Sequence, residues 1–137
     1  MKHLRRINES EHPAPYTWDE LLYLIENDEV KFVGCEEEDV LDSIKGYIDR
    51  VSNPKNSERP WYNPDISTSP VNKNSKTITS LGDSLIIFDA SGKPVAIMSE
   101  YEMMNPFVFG DVVICPGHDA ISCFNTKTGE HTRQYIR

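Results

Sequence analysis

Ser84-Leu85-Ile86-Ile87-Phe88-Asp89-Ala90-Ser91-Gly92-Lys93-Pro94-Val95-Ala96-Ile97-Met98-Ser99 is the stretch that decides the fold. Two apolar runs, Ser84–Phe88 and Pro94–Ser99, flank Asp89-Ala90-Ser91-Gly92, whose residue types make tight turns, so the stretch predicts a β-hairpin. The same punctuation recurs downstream. Val108–Cys115 and Ala120–Phe124 flank Pro116-Gly117-His118-Asp119, and Glu130–Ile136 follows Asn125-Thr126-Lys127-Thr128-Gly129. With a leading strand over Lys76–Leu81, residues 77–137 read as an antiparallel β-meander of five or six strands.

Upstream of the hairpin the periodicity changes from two to 3.6. Thr17 and Glu20 form a capping-box pair, and Trp18, Leu21, Leu22 and Ile25 recur at i, i+3, i+4 and i+7, predicting a helix over 17–27. Val30-Lys31-Phe32-Val33 is β-branched and aromatic and stops at Gly34, which suits a short strand or extended connector. Glu36-Glu37-Glu38-Asp39 then places negative charge at a helix N-terminus, with Val40, Leu41, Ile44, Ile48 and Val51 at helical spacing and Asn53-Pro54 ending the run. Two amphipathic helices and a sheet with one apolar face each need a cover, so the expected fold is α+β, the helices packed across the meander. A small closed barrel flanked by helices is the alternative.

The chain has 137 residues, enough for one domain. Within it, 1–16 reads as a basic, proline-bearing arm, 17–52 as an acidic helical part, and 53–76 as a long loop. That loop interleaves Pro54, Pro60, Pro64 and Pro70 with asparagines and serines, and loops beyond about 12–15 residues are usually functional or disordered. Fourteen basic against 22 acidic residues give a net charge of -8, which opposes direct binding to a phosphate backbone. The charge is uneven: residues 1–52 carry a balance of -7 and residues 53–137 only -1. No run approaches the roughly 18–20 apolar residues of a spanning helix and the first residues lack an apolar signal core, so a soluble cytoplasmic protein is expected. Cys35, Cys115 and Cys123 are an odd set without a secretory signal, and reduced thiols are expected.

Met1-Lys2-His3-Leu4-Arg5-Arg6-Ile7-Asn8-Glu9 resembles the opening of small accessory proteins of large tailed bacteriophages. The resemblance covers nine of 137 residues. It implies a viral origin and a host-cytoplasm setting, and carries no chemistry.

Several constellations could carry function. If turns alternate along a meander, Asp89, His118 and Asp119 share one end of the sheet, with Asp83, Glu100, Glu102 and Lys127 at the other. An imidazole between carboxylates suits general acid–base work or a hard metal in a hydrolase or nuclease, although the same residues are ordinary turn formers. Cys115, His118, Cys123 and His131 have zinc-compatible types, yet an even-length loop between their strands sends the two thiols to opposite faces. Cys35 sits where a helix N-terminus would activate a thiol and neighbouring acids would oppose it. Walker-type, G-x-G-x-x-G, H-E-x-x-H and G-x-S-x-G motifs are absent, and no cofactor is implied.

Trp61 and Tyr62 stand out in a polar segment, either as rings that fasten the loop or as a recognition surface. The leading reading is a non-enzymatic protein-binding module, a phage accessory or host-takeover factor, that engages a basic partner through Trp61, Tyr62, Glu36, Glu37, Glu38 and Asp39. A small-ligand or nucleotide-signal binder, with Arg59, Trp61, Tyr62 and Lys76 as contacts, is the alternative. The hydrolase stands behind it, and a virion structural role comes last.

Overall fold

The computed structural model describes residues 16–71 and 77–136. The opening nine residues, the rest of the arm through Pro15, and Lys76 lie outside them. Helix α1 (Trp18–Glu26) starts where its capping box places it: the Thr17 amide donates to Glu20 Oε1 at 2.9 Å, and the Glu20 amide donates to Thr17 Oγ1 at 3.2 Å. Trp18, Leu21, Leu24 and Ile25 are buried, and Leu22 packs partly buried beside them. Strand β1 (Lys31–Val33) leads through Gly34 into helix α2 (Glu37–Ser52), which buries Val40, Ile44 and Val51.

Seven further strands follow: β2 (Ile78–Leu81), β3 (Ser84–Phe88), β4 (Pro94–Met98), β5 (Phe107–Phe109), β6 (Val112–Pro116), β7 (Ala120–Asn125) and β8 (His131–Tyr135). The expectation of a single antiparallel meander of five or six strands under two helices is overturned. The described residues form two four-stranded sheets, in the orders β1-β4-β3-β2 and β5-β6-β7-β8. The α+β character remains, with helices preceding most of the strands.

Three physical reasons account for the difference. First, β3 and β4 are apolar at consecutive positions, so their sheet has two faces to cover. Ile86, Phe88 and Ile97 pack against the helices, while Leu85, Ile87, Ala96 and Met98 pack against Val113, Cys115 and Phe124 of the second sheet. Second, the run Val108–Cys115 is interrupted. Gly110 adopts a φ of +63°, a left-handed conformation that glycine reaches without strain. The resulting two-residue turn brings Phe109 opposite Val112. Third, the short β1 is recruited to the sheet edge, pairing parallel with β4 in the register Lys31↔Ala96, Phe32↔Ile97 and Val33↔Met98. The result is three layers: helices, a central sheet covered on both faces, and an outer sheet.

The segment after α2 is tied to the helices rather than looping free. The Asn63 amide donates to the Val51 carbonyl at 2.9 Å, the Trp18 amide to Ser69 at 3.2 Å, and the Val71 amide to Tyr16 at 2.8 Å. Ile66, in a single 3-10 turn (Ile66–Thr68), and Val71 enter the helical core. Ile66 therefore does the fastening that the sequence suggested for the aromatic pair, while Trp61 remains 46% exposed. Ile66→Ala is expected to cost about 2–4 kcal/mol in urea unfolding, and Trp61→Ala less than about 1 kcal/mol.

Candidate functional site

The C-terminal ends of the parallel strands β1 and β4 lie side by side, and each runs directly into acidic sequence. β1 passes through Gly34 and Cys35 into Glu36 and the first turn of α2. β4 passes through Ser99 into Glu100, Tyr101 and Glu102. The Ser99 amide donates to the Val33 carbonyl at 3.0 Å, extending the pairing beyond the strands. Gly34 has a φ of +77°, and a side chain there would strike the Ser99 carbonyl oxygen. Glycine is thus required on both conformational and steric grounds.

Two adjoining clefts open at this junction and share Gly34 and Ser99. One, of about 510 Å³, is lined also by Asp83 of the β2–β3 turn and by Glu100, Tyr101 and Glu102. The other, of about 360 Å³, is lined by Cys35, Glu36, Asp39 and Ser43. Neither lining includes a Lys, Arg or His. Carboxylates from three separate parts of the chain therefore face one opening, where only cationic groups would be electrostatically welcome.

Glu100 is the buried member, with its side chain 1% exposed. Arg133 on β8 grips it from both oxygens, Nε to Oε2 at 2.7 Å and Nη2 to Oε1 at 3.0 Å. Ser122 Oγ of β7 donates to the same Oε2. Burial alone would raise the Glu100 pKa, but the bonds from Arg133 and Ser122, together with the guanidinium charge, hold it below its ordinary value. The hydrogen bonds to Glu100 and its charge in turn raise the Arg133 pKa. This carboxylate pins the crossing between the sheets to the outer sheet, and its charge is compensated, leaving Asp83, Glu102, Glu36 and Asp39 to set the field of the clefts.

The structure separates the Asp89, His118 and Asp119 set. His118 and Asp119 lie at the cleft end, the His118 amide donating to the Tyr101 carbonyl at 2.8 Å. Asp119 Oδ1 is 2.7 Å from His118 Nδ1, and this bond, then the Asp119 charge and that of Glu102, raises the imidazole pKa. Asp89 is at the other end of the central sheet, where its Oδ1 accepts from the Ser91 amide at 2.9 Å, Ser91 Oγ at 2.6 Å and the Lys93 amide at 3.0 Å. The length of β4 between them, on the order of 16 Å, excludes a shared metal or proton relay. The turn parity fails because the reversal at Gly110-Asp111 splits the run Val108–Cys115 into two strands, which moves every later turn to the other end. The Asn125–Gly129 turn lies at the Asp89 end as well, since Lys31, at the start of β1, donates to the Gly129 carbonyl at 3.0 Å.

The cysteine–histidine set is also dispersed. Cys115 pairs with Ser122 and Cys123 with Ile114, so the two thiols project from opposite faces of the outer sheet. His131 is exposed on β8. Among the described residues no three His, Cys, Asp or Glu side chains group as a metal site would need. Burial pushes the Cys115 thiol up to about 12, with the Glu100 charge adding to it. Burial and the charges of Glu36 and Asp39 bring Cys35 to about 11, so neither thiol is a ready nucleophile.

Trp61 and Tyr62 do not join the acidic end. They follow the C-terminus of α2, whereas Glu36–Asp39 begin it, and 16 helical residues separate the two by about 24 Å. A third groove, of about 420 Å³, lies between the long loop and β2 and is lined by Trp18, Tyr47, Asn63, Ile66, Ser69, Pro70, Thr79 and Ser80. Arg59, Trp61 and Tyr62 are not in that lining. Sequence reasoning missed the Glu100–Ser122–Arg133 cluster, whose members lie 11 to 33 positions apart and carry no motif.

No known family, curated protein or solved structure matches this chain.

Replacing the guanidinium tests the role of Glu100. Arg133→Met is expected to cost about 2–3 kcal/mol near neutral pH, less than for a wholly buried pair because Arg133 is partly solvated. In the wild type, the stabilisation from Glu100 is present above the unfolded carboxylate value of about 4.3 and is lost as pH falls through its lowered folded value. Without Arg133, burial dominates and the sign reverses, so denaturation curves of the two proteins should converge as pH falls from 7 towards 4.

Proposed function

We propose that this protein is a non-enzymatic binding module that docks a basic surface of a partner protein at its acidic end. The observation that carries this reading is the convergence of Glu36, Asp39, Asp83 and Glu102 on two joined clefts whose linings include no cationic side chain. The helical layer continues the same field: Glu38, Asp42 and Asp49 are exposed on α2 and Asp19 on α1, while Glu26 is paired with Lys45 at 3.6 Å. Opposite fields of this kind act over a Debye length and raise on-rate and selectivity more than intrinsic affinity. Glu37 is half-buried and contributes less than its neighbours. A phage accessory or host-takeover role is the setting we attach to this reading, from the resemblance of residues 1–9.

The test is affinity capture from a bacterial lysate with the wild type and a Glu36→Lys/Asp39→Lys variant. The wild type should retain a specific protein at about 0.1 M salt and lose most of it near 1 M, where the screening length falls from about 10 to about 3 Å. The variant should fail to retain it even at low salt. Equal capture by both proteins at both salt concentrations would rule the reading out.

A second reading rests on the groove of about 420 Å³ beside the long loop, a volume within the range of small-molecule sites. A ligand held there at a hundred times its dissociation constant should add about 2.7 kcal/mol of stability, and a thermal-shift panel of nucleotides and metabolites reads that directly.

A further inference from the structure

The outer sheet has a face that nothing in the described chain covers. Register places Phe107 and Phe109 of β5, Val112, Ile114 and Pro116 of β6, Ile121, Cys123 and Asn125 of β7, and Thr132 and Gln134 of β8 on one side of it. The alternation of burial along β6 and β7 confirms that side as the outward one, since Val113, Cys115, Ser122 and Phe124 are buried on the other. Phe107 is 50% exposed and Phe109 76%. Not one of the ten outward residues is charged, in a chain whose net charge is -8.

We propose that this face is a self-association surface, pairing with the same face of a second copy about a two-fold axis. Charge selects the occupant. An isologous contact sets each residue's surroundings against their own copy, so a face bearing one sign of charge repels itself, whereas this one is neutral. The acidic helices occupy the opposite layer. With layers about 10 Å apart, two copies joined through their outer sheets hold their helical layers on the order of 50 Å from each other. That is several Debye lengths at physiological salt, so the net charges of the copies do not oppose the contact.

Area sets the strength. The exposed fractions of the two phenylalanine rings leave roughly 250 Å² of apolar surface, about a third of the ~800 Å² per partner of a standard interface. The flanking aliphatic residues add to this, and the total lies at the low end for specific association. A reversible dimer forming at micromolar to submillimolar concentration is the outcome this area supports. Pairing there would leave the acidic end and its clefts open, so a dimer presents two such ends facing outward.

Sedimentation velocity tests the proposal with the full chain from about 5 to about 300 µM, concentrations spanning weak association. The wild type should move from the protomer mass of 15.7 kDa towards twice that value. Phe109→Glu, at the more exposed ring, should remain at protomer mass throughout, with an unchanged far-UV circular dichroism spectrum. Thr132→Arg, on the same face but outside the aromatic pair, should weaken the dimer at least tenfold by placing like charges across the axis. Raising the salt should leave the wild-type dimer intact or tighten it, the reverse of the effect on docking at the acidic end. A wild type that stays at protomer mass at the highest concentration overturns the proposal. So does association that both variants retain, or growth beyond a dimer.

Discussion

Leu85, Ile86, Ile87 and Phe88 are buried in consecutive positions along β3, and Ala96, Ile97 and Met98 are buried beside them along β4. A strand sends successive side chains to opposite faces, so this hairpin has no side that water can occupy. Leaving Leu85, Ile87, Ala96 and Met98 uncovered would forfeit on the order of 5 kcal/mol or more, comparable to the stability of a whole small domain. One layer must therefore come from each side. The amphipathic helices supply the first, and the chain supplies the second by leaving the central sheet after β4 and building another. The three-layer arrangement, the exposed rear of the outer sheet and the acidic end all follow from that constraint.

The crossing between the sheets is where architecture and electrostatics meet. Residues 99–106 leave β4 beside the end of β1, and Glu100 within them is driven inward to a place where an unpaired carboxylate would be costly. Arg133 and Ser122 satisfy it, binding the last strands of the chain to the crossing. Because that pair neutralises itself, Glu100 serves to anchor the crossing, while the linings of the two clefts carry carboxylates and no cationic side chain. An acidic end on one layer and a neutral sheet face on the other give the molecule two surfaces of different chemistry.

Local elements were legible where the controlling interactions are local. The capping box at Thr17 and Glu20, the apolar stripe of α2 up to Asn53, and the Asp89–Gly92 turn are each decided within a few residues, and each lies close to where its pattern places it. The Phe109-Gly110-Asp111-Val112 turn was overlooked because the apolar run continues on both sides of it, and only the glycine marks the reversal. The consecutive apolar residues of β3 and β4 also held a readable sign of two buried faces, which a meander covered by one helical layer does not use.

What the sequence determined by itself is the set of local conformations, the acidity of the helical third and the absence of familiar catalytic motifs, all of which depend on neighbours along the chain. Which residues share a site was decided by the tertiary structure. The parallel pairing of β1 with β4 brought Glu36 and Asp39 to Asp83 and Glu102, and Arg133 found Glu100 33 residues away. Those partnerships are set by how buried faces are covered, a property of the whole chain that no local spacing encodes.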